Sequence, residues 1–373
     1  MMNKRIYLSP PFMGDNEKKY LNNAFDSNWI APLGPHVDAF EEEISRYLDI
    51  AYGSALSSGT AALHLALKLL GIKEGDAVLC PSLTFAASSN VILYEKAIPV
   101  FLDVDINTWT IDLEVLELAI KKYRPKALIA VDLYGQSCQY VDIIDICNRN
   151  NVFLIEDAAE ALGSEYNNRK CGTFGSLGIL SFNGNKIITT SGGGMLISDN
   201  EDFINKAKFL STQAREPVLH YEHNELGYNY RMSNLLAAIG RGQLEVLDER
   251  VKQKRNIFNH YRNQLSHIAG IDFMEEAKNV KSNRWLTTLI INDDILNTNC
   301  MKIINELDKH NIESRPVWKP MHLQKIYKDC EYVSINSDVS KKLFKKGLCL
   351  PSGGCLSIEE QDKIIEIILS TIK

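Results

Sequence analysis

The sequence predicts an α/β protein with a large domain over residues 1–250 and a smaller α+β domain over 251–373. Three observations predict it. From about residue 54 to 200, short β-rich runs alternate with stretches of helical spacing. Near residue 233 the texture changes to a long helix-favouring stretch. The length of 373 residues suits two domains at roughly 100–200 residues each.

The elements follow in order. Apolar or β-branched runs at 77–80, 98–104, 127–133, 152–155, 177–182 and 195–197 read as strands. Segments 60–70, 113–123, 140–150 and 202–211 between them read as helices. Near-continuous apolar strands alternating with helices indicate a mostly parallel sheet covered on both faces. Ser233 is a good N-cap for a spine helix over 234–265. A strand at 285–291, a helix at 300–311, a Pro-marked segment at 315–320 and two helices at 339–347 and 358–372 complete the small domain.

Composition excludes several functions. Apolar residues make up 45% and charged residues 24%, enough for a sizeable core. Lys and Arg total 41 against 47 for Asp and Glu, so the net charge is −6. Such a chain is a poor non-specific nucleic-acid binder, and no nucleic-acid partner is expected. The start, Met1-Met2-Asn3-Lys4-Arg5, is followed by Pro10, Pro11 and Gly14 rather than an apolar run, so no signal peptide is expected. No stretch approaches the roughly 18 apolar residues of a membrane helix, and no membrane partner is expected. The eight cysteines are scattered without a C-x-x-C pair, so no metal site is read and a reducing, cytoplasmic setting is expected. Neither G-x-G-x-x-G nor G-x-x-x-x-G-K-[ST] occurs, which disfavours a nicotinamide dehydrogenase and a nucleotide triphosphatase.

Three motifs can carry chemistry. Ser57-Ser58-Gly59-Thr60-Ala61 lies between a β-like run and a helix. The free N–H groups of a helix start suit a phosphate, although an ordinary capped helix has the same look. Leu154-Ile155-Glu156-Asp157-Ala158-Ala159-Glu160 ends an apolar strand in carboxylates, where α/β sheets bind ligands. An acid there can face a cationic ring nitrogen, or simply a surface turn. Ser181-Phe182-Asn183-Gly184-Asn185-Lys186 precedes the run Gly192-Gly193-Gly194. A lysine held in such a turn can act as a nucleophile toward a carbonyl. Phosphate anchor, ring-nitrogen acid and carbonyl-reactive lysine, in that chain order, fit pyridoxal 5′-phosphate (PLP).

With these motifs, and with Trp29-Ile30-Ala31-Pro32-Leu33-Gly34-Pro35 near the start and Pro351-Ser352 near the end, the whole chain resembles the DegT/DnrJ/EryC1/StrS family of sugar aminotransferases. That resemblance implies the aspartate aminotransferase fold (fold type I) and PLP as cofactor, with pyridoxamine phosphate formed in turnover. It implies that Lys186 forms the internal aldimine and shuttles a proton, and that Asp157 holds the ring nitrogen protonated. Glu160 falls near the ring hydroxyl and Phe85 stacks on the ring. Gly59, Thr60, Ala61 and Ser181 fall at the phosphate. Asn229 reaches the phosphate of a neighbouring subunit, which implies a homodimer with shared sites.

Arg231 is a candidate anion contact, with a structural ion pair as the equal alternative. Trp318, Lys319 and His322 lie in Arg315-Pro316-Val317-Trp318-Lys319-Pro320-Met321-His322, which resembles relatives acting on UDP-linked 4-keto-6-deoxy-N-acetylhexosamines. A Pro-bounded turn with a packed Trp explains the same residues. Two departures from the family pattern stand out: Ser191-Gly192-Gly193-Gly194 lacks an acid many relatives have, and Asn183 stands where His is common. The expected reaction moves the amino group of L-glutamate to C4 of a nucleotide-linked keto sugar for surface glycans. Alternatives are a GDP- or dTDP-linked or 3-keto sugar, or a regulatory PLP-binding protein without turnover.

Overall fold

The computed structural model describes residues 5–372. Residues 1–4, on which the reading of the chain's start partly rests, lie outside the described residues.

Eight strands form the large sheet in the order Tyr52–Leu56, Gly194–Ser198, Leu177–Ser181, Phe153–Asp157, Ala127–Val131, Ala77–Pro81, Ile98–Leu102 and Glu331–Val333. Gly194–Ser198 runs antiparallel to both of its neighbours, and every other pairing is parallel. Ala127–Val131 is buried at every residue, as expected for a strand with helices on both faces. The register sets Val131 beside Asp157 and Asp157 beside Ile179. The functional residues therefore gather where these strands end.

Local chemistry explains the helices. Leu113–Tyr123 starts at Asp112, whose side chain accepts from the amides of Glu114 and Val115. It ends at Arg124 in left-handed conformation, and its buried Val115, Leu116, Ala119 and Ile120 face the sheet. The helix Ala86–Tyr94 escaped the sequence reading. Its apolar residues lie all round the axis because it is covered on several sides, so no periodicity marks it.

The spine expected as one helix over 234–265 is two helices, Asn234–Leu244 and Leu247–Leu265. The first packs on Asn16–Asp26 and Pro35–Leu48, two further helices not expected from the sequence. The Glu245 carboxylate accepts from Asn16 and Tyr20, and the axis breaks there. The second helix buries Ile257, Tyr261 and Leu265 in the core of the small domain. Two buried faces in different directions cannot be served by one straight axis.

The small domain is an antiparallel sheet ordered Ile271–Phe273, Thr287–Ile291, Gly347–Leu350 and Arg315–Pro316. The helices Cys300–Lys309 and Ile358–Ile372 cover it. The expected helix over 339–347 is Val339–Lys346, and Gly347 already belongs to the following strand. The expected boundary at 250 falls inside the helix Leu247–Leu265, and Glu331–Val333 returns to the large sheet beside Ile98–Leu102. No helix among the described residues is long and apolar enough to cross a membrane.

Candidate active site

The strand ends open onto a cavity of about 380 Å³, within the range of small-molecule sites. At one end, Ser58 caps the helix Gly59–Leu69, its Oγ accepting from the Ala61 amide at 3.0 Å. The Gly59 and Thr60 amides, first in the helix, have no intrahelical acceptor and lie at the cavity wall with Ser181. Ala61, its amide engaged by Ser58, does not line the cavity. Gly194 permits this packing: a Cβ there would stand 2.3 Å from the Gly59 nitrogen.

Asp157 ends its strand inside the cavity. Its Oδ2 accepts from the Ser88 hydroxyl at 2.7 Å, and Ser88 lies 3.0 Å from the Thr84 hydroxyl. Its Oδ1 accepts from the Ala159 amide at 3.2 Å. Burial pushes the Asp157 carboxyl above its usual range, opposed by the Ser88 and Ala159 bonds and by the charge of Lys186.

Lys186 Nζ donates to Glu160 Oε1 at 3.2 Å and lies 4.2 Å from the centre of the Trp285 ring. Glu160 Oε2 accepts from the Tyr134 amide at 2.8 Å. Burial raises the Glu160 carboxyl, and the Lys186 charge opposes that rise. Lys186 thus stands between a carboxylate and an aromatic face, within reach of the cavity. Phe85, 57% exposed, lies 5.4 Å from the Trp318 ring, and Trp318 packs 5.1 Å from Tyr134.

The turn that presents Tyr134 rests on a buried carboxyl pair. Asp132, Glu156 and Cys171 have polar atoms within 4.8 Å of one another. Glu156 accepts from the amides of Gly172, Phe174 and Gly175, and Asp132 Oδ1 accepts from the Cys138 amide and the Tyr140 hydroxyl. Burial pushes both carboxyls up, Asp132 the further, with the charge of Glu156 adding to its rise. Two carboxyls buried this close together resist being charged at once.

The structure brings together Gly59, Thr60, Phe85, Asp157, Glu160, Ser181, Lys186 and Trp318. Besides Ala61, four expected residues stand outside this cavity. Asn229 is exposed and pairs with Thr212. Arg231 lies beside Leu56, its buried Nε without a partner among the described residues. Lys319 is exposed. His322 has partners of its own: Nδ1 lies 2.6 Å from the Ser82 hydroxyl, Nε2 lies 3.2 Å from Asp338, and the ring stacks on Tyr332 at 3.8 Å. With both nitrogens engaged, it braces the turn that leads to Phe85. The sequence reading missed Trp285 and Ser88. Trp285 comes from the small domain without a motif, and Ser88 belongs to the unmarked helix.

The donor set fits PLP. Free helix-start amides and the Ser181 hydroxyl suit a phosphate, a buried acid suits a ring nitrogen, and an amine stands within reach of the cavity for a carbonyl. The fold and this site define a PLP-dependent transferase of the aspartate aminotransferase fold. The chain belongs to the DegT/DnrJ/EryC1/StrS aminotransferase family, whose model matches residues 11–369. It is 51% identical over 375 residues to EpsN of Bacillus subtilis, covering 99% of this chain and 96% of that one. It is 36% identical over 360 residues to a GDP-perosamine synthase of Vibrio cholerae, covering 96% of each chain. It is 36% identical over 262 residues to a UDP-4-amino-4,6-dideoxy-N-acetyl-beta-L-altrosamine transaminase of Campylobacter jejuni, covering 69% of each. Among solved structures, Spr1654 of Streptococcus pneumoniae in its PLP-form superposes with a TM-score of 0.91 at 26% identity, covering 99% of this chain and 100% of that one. The protein is a PLP-dependent sugar aminotransferase.

Proposed function

We propose that the enzyme takes the amino group of L-glutamate and delivers it to C4 of a UDP-linked 4-keto-6-deoxy-N-acetylhexosamine, in two half-reactions at one site, for surface glycan biosynthesis. The observation that supports this most is the Lys186 amine held by Glu160 and Trp285 at the cavity that also holds Asp157 and the helix-start amides.

In this reading PLP, when bound, supplies an electron sink for the charge that develops at the donor carbon. Lys186 would hold the cofactor through its amine and, once the incoming amine has replaced it there, would move a proton at the donor carbon, first as base and then as acid. Asp157 holds a proton on the ring nitrogen, and that cation in turn offsets the cost of burying the carboxylate. The Gly59 and Thr60 amides and the Ser181 hydroxyl take the phosphate, with Ala61 behind them. Phe85 covers one ring face and Glu160 stands by the ring hydroxyl. Arg231, whose buried Nε has no partner among the described residues, is a candidate for the donor's carboxylate. Trp318 and Lys319 face the acceptor. The exposure of Asn229 suits a reach into the site of a second subunit, so the working unit is a homodimer. A cytoplasmic setting belongs to the same reading.

A second reading, a GDP-linked 4-keto sugar, is favoured by the likeness to GDP-perosamine synthase. The absorption spectrum of the PLP-loaded enzyme with L-glutamate, followed by UDP-, GDP- and dTDP-linked 4-keto sugars, tests both. Glutamate should bleach the yellow band and the UDP sugar should restore it fastest. Faster recovery with the GDP sugar selects the second reading, and no bleaching by glutamate sinks both.

A further inference from the structure

We propose that a second buried lysine, Lys254, is a positioning residue for Lys186, acting through the carbonyl of Asn185. The proposal rests on reading Lys186 as the reacting amine.

Lys254 lies on the helix Leu247–Leu265 and is 3% exposed. Its Nζ donates to the carbonyls of Ser352 at 2.8 Å and Trp285 at 3.1 Å, and to the Ser9 hydroxyl at 3.4 Å. Three acceptors match the three hydrogens of an ammonium group. Ser9, having accepted from Lys254, passes its own hydrogen to the Asn185 carbonyl at 2.9 Å. Trp285 Nε1–H donates to the same carbonyl at 2.7 Å.

Both donors on Asn185 are therefore held at their other ends by Lys254. The next residue is Lys186, whose amine faces the ring of the same Trp285. The Asn185–Lys186 peptide cannot turn without breaking one of these bonds. One amine thus ties the N-terminal arm, the spine helix and two loops of the small domain to the Lys186 turn.

The surroundings make this device sensitive to pH. Among the described residues no carboxylate pairs with Lys254, and Cys355 is the titratable group that faces it from the loop after Ser352. The Ser9 arm brings a hydroxyl, and the segment at Trp285 brings a carbonyl. In that segment Arg284 turns away to Met274 and Glu276. On the spine itself Arg250 turns to Phe12 and Gln253, and Arg255 to Glu276 and Ser282. Burial pushes the Lys254 amine down to about 7. Above that range it loses one of its three hydrogens, and the knot loosens.

The test is the single-turnover bleaching of the PLP-loaded enzyme by L-glutamate, from about pH 6 to about pH 8.5, in wild type and Lys254→Met. The variant should be about tenfold slower at the acid end and within about twofold of wild type at the alkaline end, with unchanged glutamate saturation. Ser9→Ala, which leaves the lysine in place, should show a smaller loss with the same trend. A rate ratio that stays flat with pH, or a loss confined to glutamate saturation, overturns the proposal. If Lys254→Met does not fold, Ser9→Ala decides, and wild-type behaviour at every pH overturns it. Lys186→Ala separates the two claims: if that variant still bleaches, the reading of Lys186 has failed instead.

Discussion

Lys186 and Lys254 both touch Trp285, one at its ring and the other at its carbonyl, yet their surroundings differ in kind. Lys186 has a carboxylate partner, Glu160, and stands at the cavity wall, so a ligand can reach its amine. Lys254 has two carbonyls and a hydroxyl for partners, and it does not line the cavity. The comparison teaches that burial alone does not make an amine reactive. An approach path and a group that accepts its proton or charge do.

The largest expected effect breaks the comparison on the reactive side. Lys186→Ala should slow amino transfer at least about a thousandfold while the melting temperature stays close to wild type. A variant that retains turnover would show that the cavity amine is not the reacting one. Next comes Asp157→Asn, which keeps the shape and removes the charge opposite the ring nitrogen. It should cost about a hundredfold in the glutamate half-reaction, read by stopped-flow absorbance, with PLP still bound. A rate within a few-fold of wild type would leave Asp157 without its role.

The structural side is sharpened by stability rather than rate. The Lys254 amine is pushed down from 10.5 to about 7, so between those values the unfolded chain holds a proton that the folded chain lacks. Its contribution to stability therefore rises with pH through that window. Below about 7 both states are protonated and the cost of the buried charge is constant. Unfolding by urea from about pH 7 to about pH 10 should show wild type gaining on Lys254→Met, by a few kcal/mol at most. Parallel curves would mean that the amine ionises as freely folded as unfolded.

The smallest effect concerns the pair beneath Tyr134. Asp132→Asn keeps an oxygen for the Cys138 amide and the Tyr140 hydroxyl and removes a charge beside Glu156, so it should cost less than about 1 kcal/mol. Asp132→Ala, which orphans the Cys138 amide and Tyr140 hydroxyl, should cost about 1–3 kcal/mol for each group left unpaired. Equal costs for the two variants would show that the bonds to Cys138 and Tyr140 are not what Asp132 contributes.

Much of the α/β core was legible in the sequence. The helices at 113–123 and 140–150 begin and end where expected, since a capping Asp112 and an abrupt loss of periodicity are local signals. The two N-terminal helices, Ala86–Tyr94 and the edge strand Glu331–Val333 were not legible. The strand has three residues, and its partner Ile98–Leu102 lies more than two hundred residues away. No neighbour along the chain announces it.

The site divides in the same way. The sequence by itself determined which groups are available: a capped helix start at Ser58, an acid at the end of an apolar strand, and a lysine in a Gly-flanked turn. These depend on residues a few positions apart, so their pattern survives in one dimension. Tertiary structure decided which groups meet. It turned His322 onto Ser82 and Asp338, left Arg231 Nε without a partner among the described residues, and set Trp285 against a lysine about a hundred residues earlier. Those outcomes follow from sheet order and from the docking of the small domain. There, most buried polar groups take whatever partner the fold delivers, because an unpaired one is costly.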